Sequence, residues 1–336
     1  MPFKYINPGY VKMLHTPSSA QQLKELNQTI SKTGYGISPN GRSELRCDLL
    51  EISDTTANEF WIKSDVFIPA DMECSTDFFI TFPKGIPSIH VTTSHESKDD
   101  YYGLIEVQFG RTEDGYFSSD YVESAEAVEN LTGLKIGALN TMLIHATQDL
   151  SSNYTNGSCD ININGKTFNL TRNGENYMQW DNSYKTFNLM EQSFSNNSRI
   201  FSNIIISDEE IDINEKIVAI PVSTTQSTME LNTSGLYVAD KVGQKLLQTP
   251  DVYSLADTYG GNSRITGILL VGDPAYTESG SETLIAISCS DTVITEYGAT
   301  EVIADTDALV FKSWITSSDM TIADLNGMSF GWKASG

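Results

Sequence analysis

The sequence predicts an all-β protein built from two successive sandwich-like bodies, the second smaller than the first. Apolar residues in its short segments recur with period two, the spacing of a half-buried strand. Turn signals separate those segments, Asn164-Gly165 being the clearest. Very few stretches are long and periodic enough for a helix, and many short strands with frequent turns are the pattern of a sandwich. With 336 residues, at roughly 150 per domain, the chain has room for two cores.

Taken in order, residues 1–40 are polar and turn-rich and read as an arm or a first edge strand with its loop. A short helix is possible where Leu23 and Leu26 share a face. Residues 44–52 read as a strand. Phe60, Ile62, Val66 and Ile68 then fall on one phase of the clearest alternation in the chain. Residues 78–82 end at Pro83, and Ile105, Val107 and Phe109 alternate with Glu106 and Gln108. Residues 121–131 read as a short surface helix. Met142, Ile144 and Ala146 lie on one face of the next strand and His145 on the other. Cys159, Ile161 and Ile163 lead into Asn164-Gly165, a type I′ hairpin signal between two alternating runs.

Ile200 to Ile206 is rich in β-branched residues, which suit a pleated surface. The charged turn 207–210 ends it, and 216–220 reads as a resumed strand stopped by Pro221. This marks the joint, giving domains 1–215 and 216–336. Strands are expected at 265–271, 283–289, 293–297, 308–314 and 328–332. Thr249-Pro250 reads as an N-cap and first helical residue for 251–257. Thr321 and Asp324 have capping-box spacing, closed by Asn326-Gly327.

The net charge of −23, with no run of lysine or arginine, argues against nucleic acid, which needs a basic face. The acidity is dispersed and reads as a solvated surface. Acidic loops suggest calcium only weakly, because none has the arrangement of a calcium loop, and no other cofactor is expected. Cys47, Cys74, Cys159 and Cys289 match no zinc spacing, and Cys159 and Cys289 read as buried free thiols. The start, MPFKYINPGY, lacks an apolar signal core, and no run of about 20 apolar residues occurs. Synthesis in a cytoplasm without membrane insertion is expected.

Three chemical readings are open. Glu210, Asp212 and Glu215 have the spacing of the E-I-D-x-x-E core of laminarinase-type glycoside hydrolases, whose outer glutamates act across the sugar bond. Lys216-Ile217-Val218 departs from that motif, so a solvated acidic turn is the preferred reading. His15, His90, His95 and His145 complete no metal set. Sugar binding needs an aromatic platform beside hydrogen-bonding groups. Trp180, Asp181, Asn182 and Tyr184 offer these in one stretch, and Tyr101 and Tyr102 beside Asp99 and Asp100 in another.

Glu59 to Ile68, Asn140 to His145, Asp160 to Gly165 and Ile200 to Asp208 together resemble the concanavalin A-like (laminin G-like) jelly roll. They are similar in particular to the version found in virion proteins of tailed bacteriophages and prophages, and residues 314–333 resemble the end of β domains in such proteins. The resemblance implies a non-enzymatic tail-fibre, baseplate, collar or capsid-surface component in the virion. It implies homo-oligomers in contact with other virion proteins and no transferable catalytic residue. The alternative is a lectin-like receptor binder for a host-surface glycan, and a glycoside hydrolase is the third reading.

Overall fold

Antiparallel pairing converts the alternating segments into sheets and decides which phase of each is covered. The computed structural model describes residues 4–7, 28–30, 37–39, 44–48, 59–67, 76–81, 87–97, 100–109, 116–122, 130, 133, 135, 137–147, 158–170, 186–193, 200–233, 235, 237–272, 275–276, 283–300, 310–316 and 319–335. The chain divides into two compact units between Lys216 and Ile217. The architecture is all-β, and the larger unit is a jelly-roll sandwich.

In the first unit the strands are β1 (Lys4–Asn7), β2 (Gln28–Ile30), β3 (Ile37–Pro39), β4 (Glu44–Asp48), β5 (Glu59–Phe67), β6 (Thr76–Thr81) and β7 (Pro87–Ser97). They continue as β8 (Asp100–Phe109), β9 (Tyr116–Val122), β10 (Leu139–Thr147), β11 (Ser158–Ile163), β12 (Lys166–Leu170), β13 (Thr186–Ser193) and β14 (Ile200–Ser207). One sheet has the order β12-β11-β10-β5-β14-β3-β2, with β1 also on β14. The other has the order β4-β13-β6-β7-β8-β9. The first and last strands of the unit thus pair, Ile6 opposite Ile205. Tyr121 and Val122 belong to β9, paired to β8, and not to a helix. Their aromatic and β-branched side chains suit a pleat better than a helix.

On β5, β10 and β11 the covered phase is the one the alternation predicts. Ile62 and Val66 on β5, Met142 and Ile144 on β10, Ile161 and Ile163 on β11, and Ile204 and Ile206 on β14 are all buried. At roughly 25 cal/mol per Å2 of apolar surface, this face is the main stabilising element described in the unit. Asn164 and Gly165 adopt φ of 51° and 90°, the left-handed pair a type I′ hairpin requires. Asn164 also ties the hairpin to its neighbours. Its Nδ2 donates to the Gly133 carbonyl at 2.7 Å and to Asn140 Oδ1 at 2.8 Å. Asn140 is fully buried and donates in turn to the carbonyls of Lys135 and Ala138.

The second unit contains β15 (Val222–Ser227), β16 (Glu230–Leu231), β17 (Tyr237–Ala239), β18 (Lys245–Pro250), α1 (Val252–Tyr259), β19 (Gly267–Gly272) and β20 (Ala275–Tyr276). It ends with β21 (Thr283–Ser290), β22 (Val293–Thr300), β23 (Val310–Ile315), a 3-10 turn (Ala323–Leu325) and β24 (Met328–Ser335). Its main sheet runs β15-β18-β24-β21-β22, beside a three-stranded sheet β16-β17-β20 and the pair β19-β23. Leu255, Ile268, Leu270, Leu284, Ala286, Leu325, Phe330 and Trp332 belong to one core cluster. Gly331 admits the β18 backbone so closely that a Cβ would lie 1.7 Å from the Leu246 carbonyl oxygen.

Local expectations are corrected here. Residues 216–220 form no strand; pairing resumes at Val222, after Pro221. The helix cap is Asp251, not Thr249, because Pro250 closes β18. Asp251 accepts from the Ser254 hydroxyl and backbone N–H, which hold its carboxyl below the usual aspartate range. Thr321 donates its hydroxyl and N–H to Asp324 in the same way. Cys289 is half-buried rather than fully buried. On β21 the alternate residues Leu284, Ala286 and Ser288 are covered, and Ile287 on the other phase is buried as well.

Candidate functional site

The opposite phase of β5 and β10 carries chemistry instead of core. Residues directly opposite in an antiparallel pair point to the same side of the sheet. Trp61, Lys63 and Asp65 on β5 therefore share a face with His145, Leu143 and Thr141 on β10, and Glu59 lies on the same phase of β5. The next strand adds Asp160 opposite His145 and Asn162 opposite Leu143.

This face has an open part and a closed part. In the open part Trp61 and His145 stack with ring centroids 4.6 Å apart and planes inclined by 9°. His145 Nε2 lies 2.6 Å from Glu59 Oε1 and donates to that carboxylate. Their side chains keep 30% and 47% of their surface, so a ligand can reach both. Trp61, Asp160 and Asn162 are also partly exposed. An indole plane, a histidine, carboxylates and an amide thus line one ledge.

In the closed part Lys63 and Asp65 are buried. Asp65 accepts from Thr141 Oγ1 at 3.0 Å and from Asn203 Nδ2 at 2.7 Å. Asn203 reaches it from a left-handed position, φ 50°, where the β5–β14 register shifts between Ser202 and Ile205. Lys63 Nζ donates to the Glu215 carbonyl at 2.6 Å and lies 4.0 Å from Asp65 Oδ1. Burial pushes the lysine below its ordinary range, and the charges of Asp65 and Glu215 oppose that shift. Lys63 therefore fastens the segment after β14 to the sheet face.

That segment contains Glu210, Asp212 and Glu215. It is an irregular turn: Asp212 accepts from the backbone N–H of Asn214, and the Glu215 N–H donates to the Asp212 carbonyl. Ile211 is buried between exposed Glu210 and Asp212, so the segment is anchored by an apolar side chain and lies on no strand.

Trp180, Asp181, Asn182 and Tyr184 lie outside the described residues. Tyr101 and Tyr102 lie on β8 of the six-stranded sheet, opposite His95 and Ser94, with their side chains outside the described set. Sequence reasoning assigns Trp61 and Glu59 to no site and places His145 only on the face of its strand opposite Met142, Ile144 and Ala146. The signal available was the polar phase of Glu59-Phe-Trp-Ile-Lys-Ser-Asp, but only the strand register brings it to His145. Among the described residues no three His, Cys, Asp or Glu side chains group as metal ligands, and no helix is long and apolar enough to cross a membrane.

No protein-family model matches the chain, and no curated protein matches it. Solved structures do. A mutant of the alginate lyase Aly36B in complex with an alginate tetrasaccharide is 13% identical, with a TM-score of 0.34, over 62% of this chain and 97% of that one. Sheep galectin-11 in complex with glycerol is 6% identical, with a TM-score of 0.27, over 50% and 99%. An engineered GH43 glycoside hydrolase with endo-xylanase and exo-arabinofuranosidase activity is 6% identical, with a TM-score of 0.34, over 61% and 40%. These findings overturn the expectation of a non-enzymatic virion component, since the similar structures include carbohydrate-active enzymes and none of those reported is a virion protein. At such identities and scores they transfer no activity, substrate or residue role.

Proposed function

We propose that the protein binds carbohydrate on the open ledge of the eight-stranded sheet, with Trp61 as the stacking platform. The supporting observation is the Trp61–His145 stack with Glu59 hydrogen-bonded to the imidazole, all partly exposed on a polar sheet face. A sugar ring presents C–H groups on one side and hydroxyls at its edge. An indole suits the first, and carboxylate, imidazole and amide groups suit the second. The buried Lys63–Asp65 network beside the ledge, on the same face, ties β5 to β10, so the ledge sits on a rigid element. The experiment is a polysaccharide and oligosaccharide panel, with retention and chain cleavage measured in parallel on wild type and Trp61→Ala. A glycan bound by wild type should be bound at least about tenfold more weakly by the variant. Equal affinity would remove Trp61, and with it the ledge, from recognition.

A further inference from the structure

We infer that Asn326 is a site of spontaneous deamidation, and that the fold suppresses the same reaction at Asn164. Both residues precede glycine, the neighbour that least hinders attack by its own backbone nitrogen on an asparagine side chain. In that reaction the Gly327 nitrogen bonds to Asn326 Cγ, and the side-chain amide leaves as ammonia with the nitrogen's proton. Water then opens the five-membered imide at either carbonyl, giving aspartate or isoaspartate at that position. Water is the only co-reactant, and the net change is a neutral amide replaced by a carboxylate with release of ammonium.

The two sites share residue types and differ in restraint. Asn164 Nδ2 donates to the Gly133 carbonyl and to Asn140 Oδ1, and Asn164 Oδ1 accepts from the Thr141 N–H at 2.9 Å. The nucleophile there is held as well, since the Gly165 N–H donates to Asn162 Oδ1 at 2.9 Å. The Asn164 N–H donates to the Thr141 carbonyl, so turning this residue would pull the β11–β12 hairpin away from β10. Asn326, by contrast, is exposed at the end of the 3-10 turn, two residues before β24. No described residue hydrogen-bonds its side-chain amide. Gly327 lies outside the strand at φ 82°, with nothing within 4 Å of where a Cβ would stand. The reaction turns Asn326 from ψ 125° to bring Cγ to that nitrogen and breaks no side-chain hydrogen bond among the described residues. At Asn164 three hydrogen bonds to the amide must break first, which slows the reaction by at least about tenfold. The product position matters: Leu325 before it is fully buried, and β24 after it pairs with both β18 and β21. Isoaspartate inserts one main-chain carbon between that anchor and that strand. Asn40-Gly41, Asn156-Gly157 and Asn173-Gly174 lie outside the described residues.

The test incubates the full chain in mildly alkaline buffer, and in the same buffer with enough urea to unfold it. Circular dichroism verifies that the first sample stays folded. Aliquots are digested over time, and fragment ions in the mass spectrum assign each amide-to-acid conversion to its residue. In the folded chain Asn326 should convert at least about tenfold faster than Asn164. In urea the two rates should converge, because only the shared Asn-Gly sequence then acts. Equal rates in the folded chain, or an Asn326 that reacts only in urea, would overturn the inference. A gap that persists in urea would trace the difference to flanking sequence instead of the fold and would overturn it too.

Discussion

The two faces of the β5–β10 pair are made from interleaved residues of the same strands, yet they do opposite work. Ile62, Val66, Met142 and Ile144 point one way and are buried in an apolar layer. Trp61, Lys63, Asp65, Thr141 and His145 point the other and form a polar surface, closed over Lys63 and Asp65 and open at Trp61 and His145. The apolar face stabilises the sheet through area removed from water, which any residue of similar volume can supply. The polar face depends on specific pairs, Trp61 with His145 and Lys63 with Asp65 and Glu215. Packing therefore tolerates conservative change on one side, and the paired side chains do not on the other.

Substitutions that separate the faces sharpen this contrast. The largest effect is expected on the closed part of the polar side. Asp65→Ala leaves the buried Lys63 ammonium without its nearest carboxylate and should cost about 3–5 kcal/mol in urea unfolding. Ile144→Ala, on the apolar side, should cost about 2–5 kcal/mol by loss of burial and the cavity left behind. Glycan affinity of the still-folded fraction should be unchanged, because Ile144 faces away from the ledge. An Ile144→Ala protein that folds fully but loses binding would show that the two faces are not separable.

The smallest effect is a pH dependence. Burial lowers the Lys63 value in the folded state below 10.5, so between that lowered value and 10.5 the unfolded chain holds more protons. Stability should therefore rise with pH through that window, and Lys63→Met should remove that rise. The check is chemical unfolding at a series of alkaline pH values, and an unchanged slope in the variant would contradict the assignment.

Much of the apolar face was legible because burial follows period two and needs no knowledge of partners. Ile62, Ile144 and Ile161 lie where the alternation puts them, and Asn164-Gly165 turns as its residue types require. The polar face was not legible, because its pairs join strands distant in sequence. Trp61 meets His145 only through the β5–β10 register, and Lys63 meets Glu215 only because the chain folds back after β14. Cys289 shows a second limit. The covered phase of β21 is Leu284, Ala286 and Ser288, so the expectation chose the wrong face, and Cys289 falls on the opposite phase, half-buried. The acidic run from Glu210 to Glu215 resembled a catalytic motif by spacing alone, whereas its backbone is an anchored turn.

The most direct measurement compares Trp61→Ala with Trp180→Ala on one glycan bound by the wild-type protein, by calorimetric titration with unfolding temperature recorded alongside. The ledge account predicts at least about tenfold weaker binding for Trp61→Ala with a stability change near 1 kcal/mol, and wild-type affinity for Trp180→Ala. Wild-type affinity in Trp61→Ala, with binding lost in Trp180→Ala instead, would contradict it.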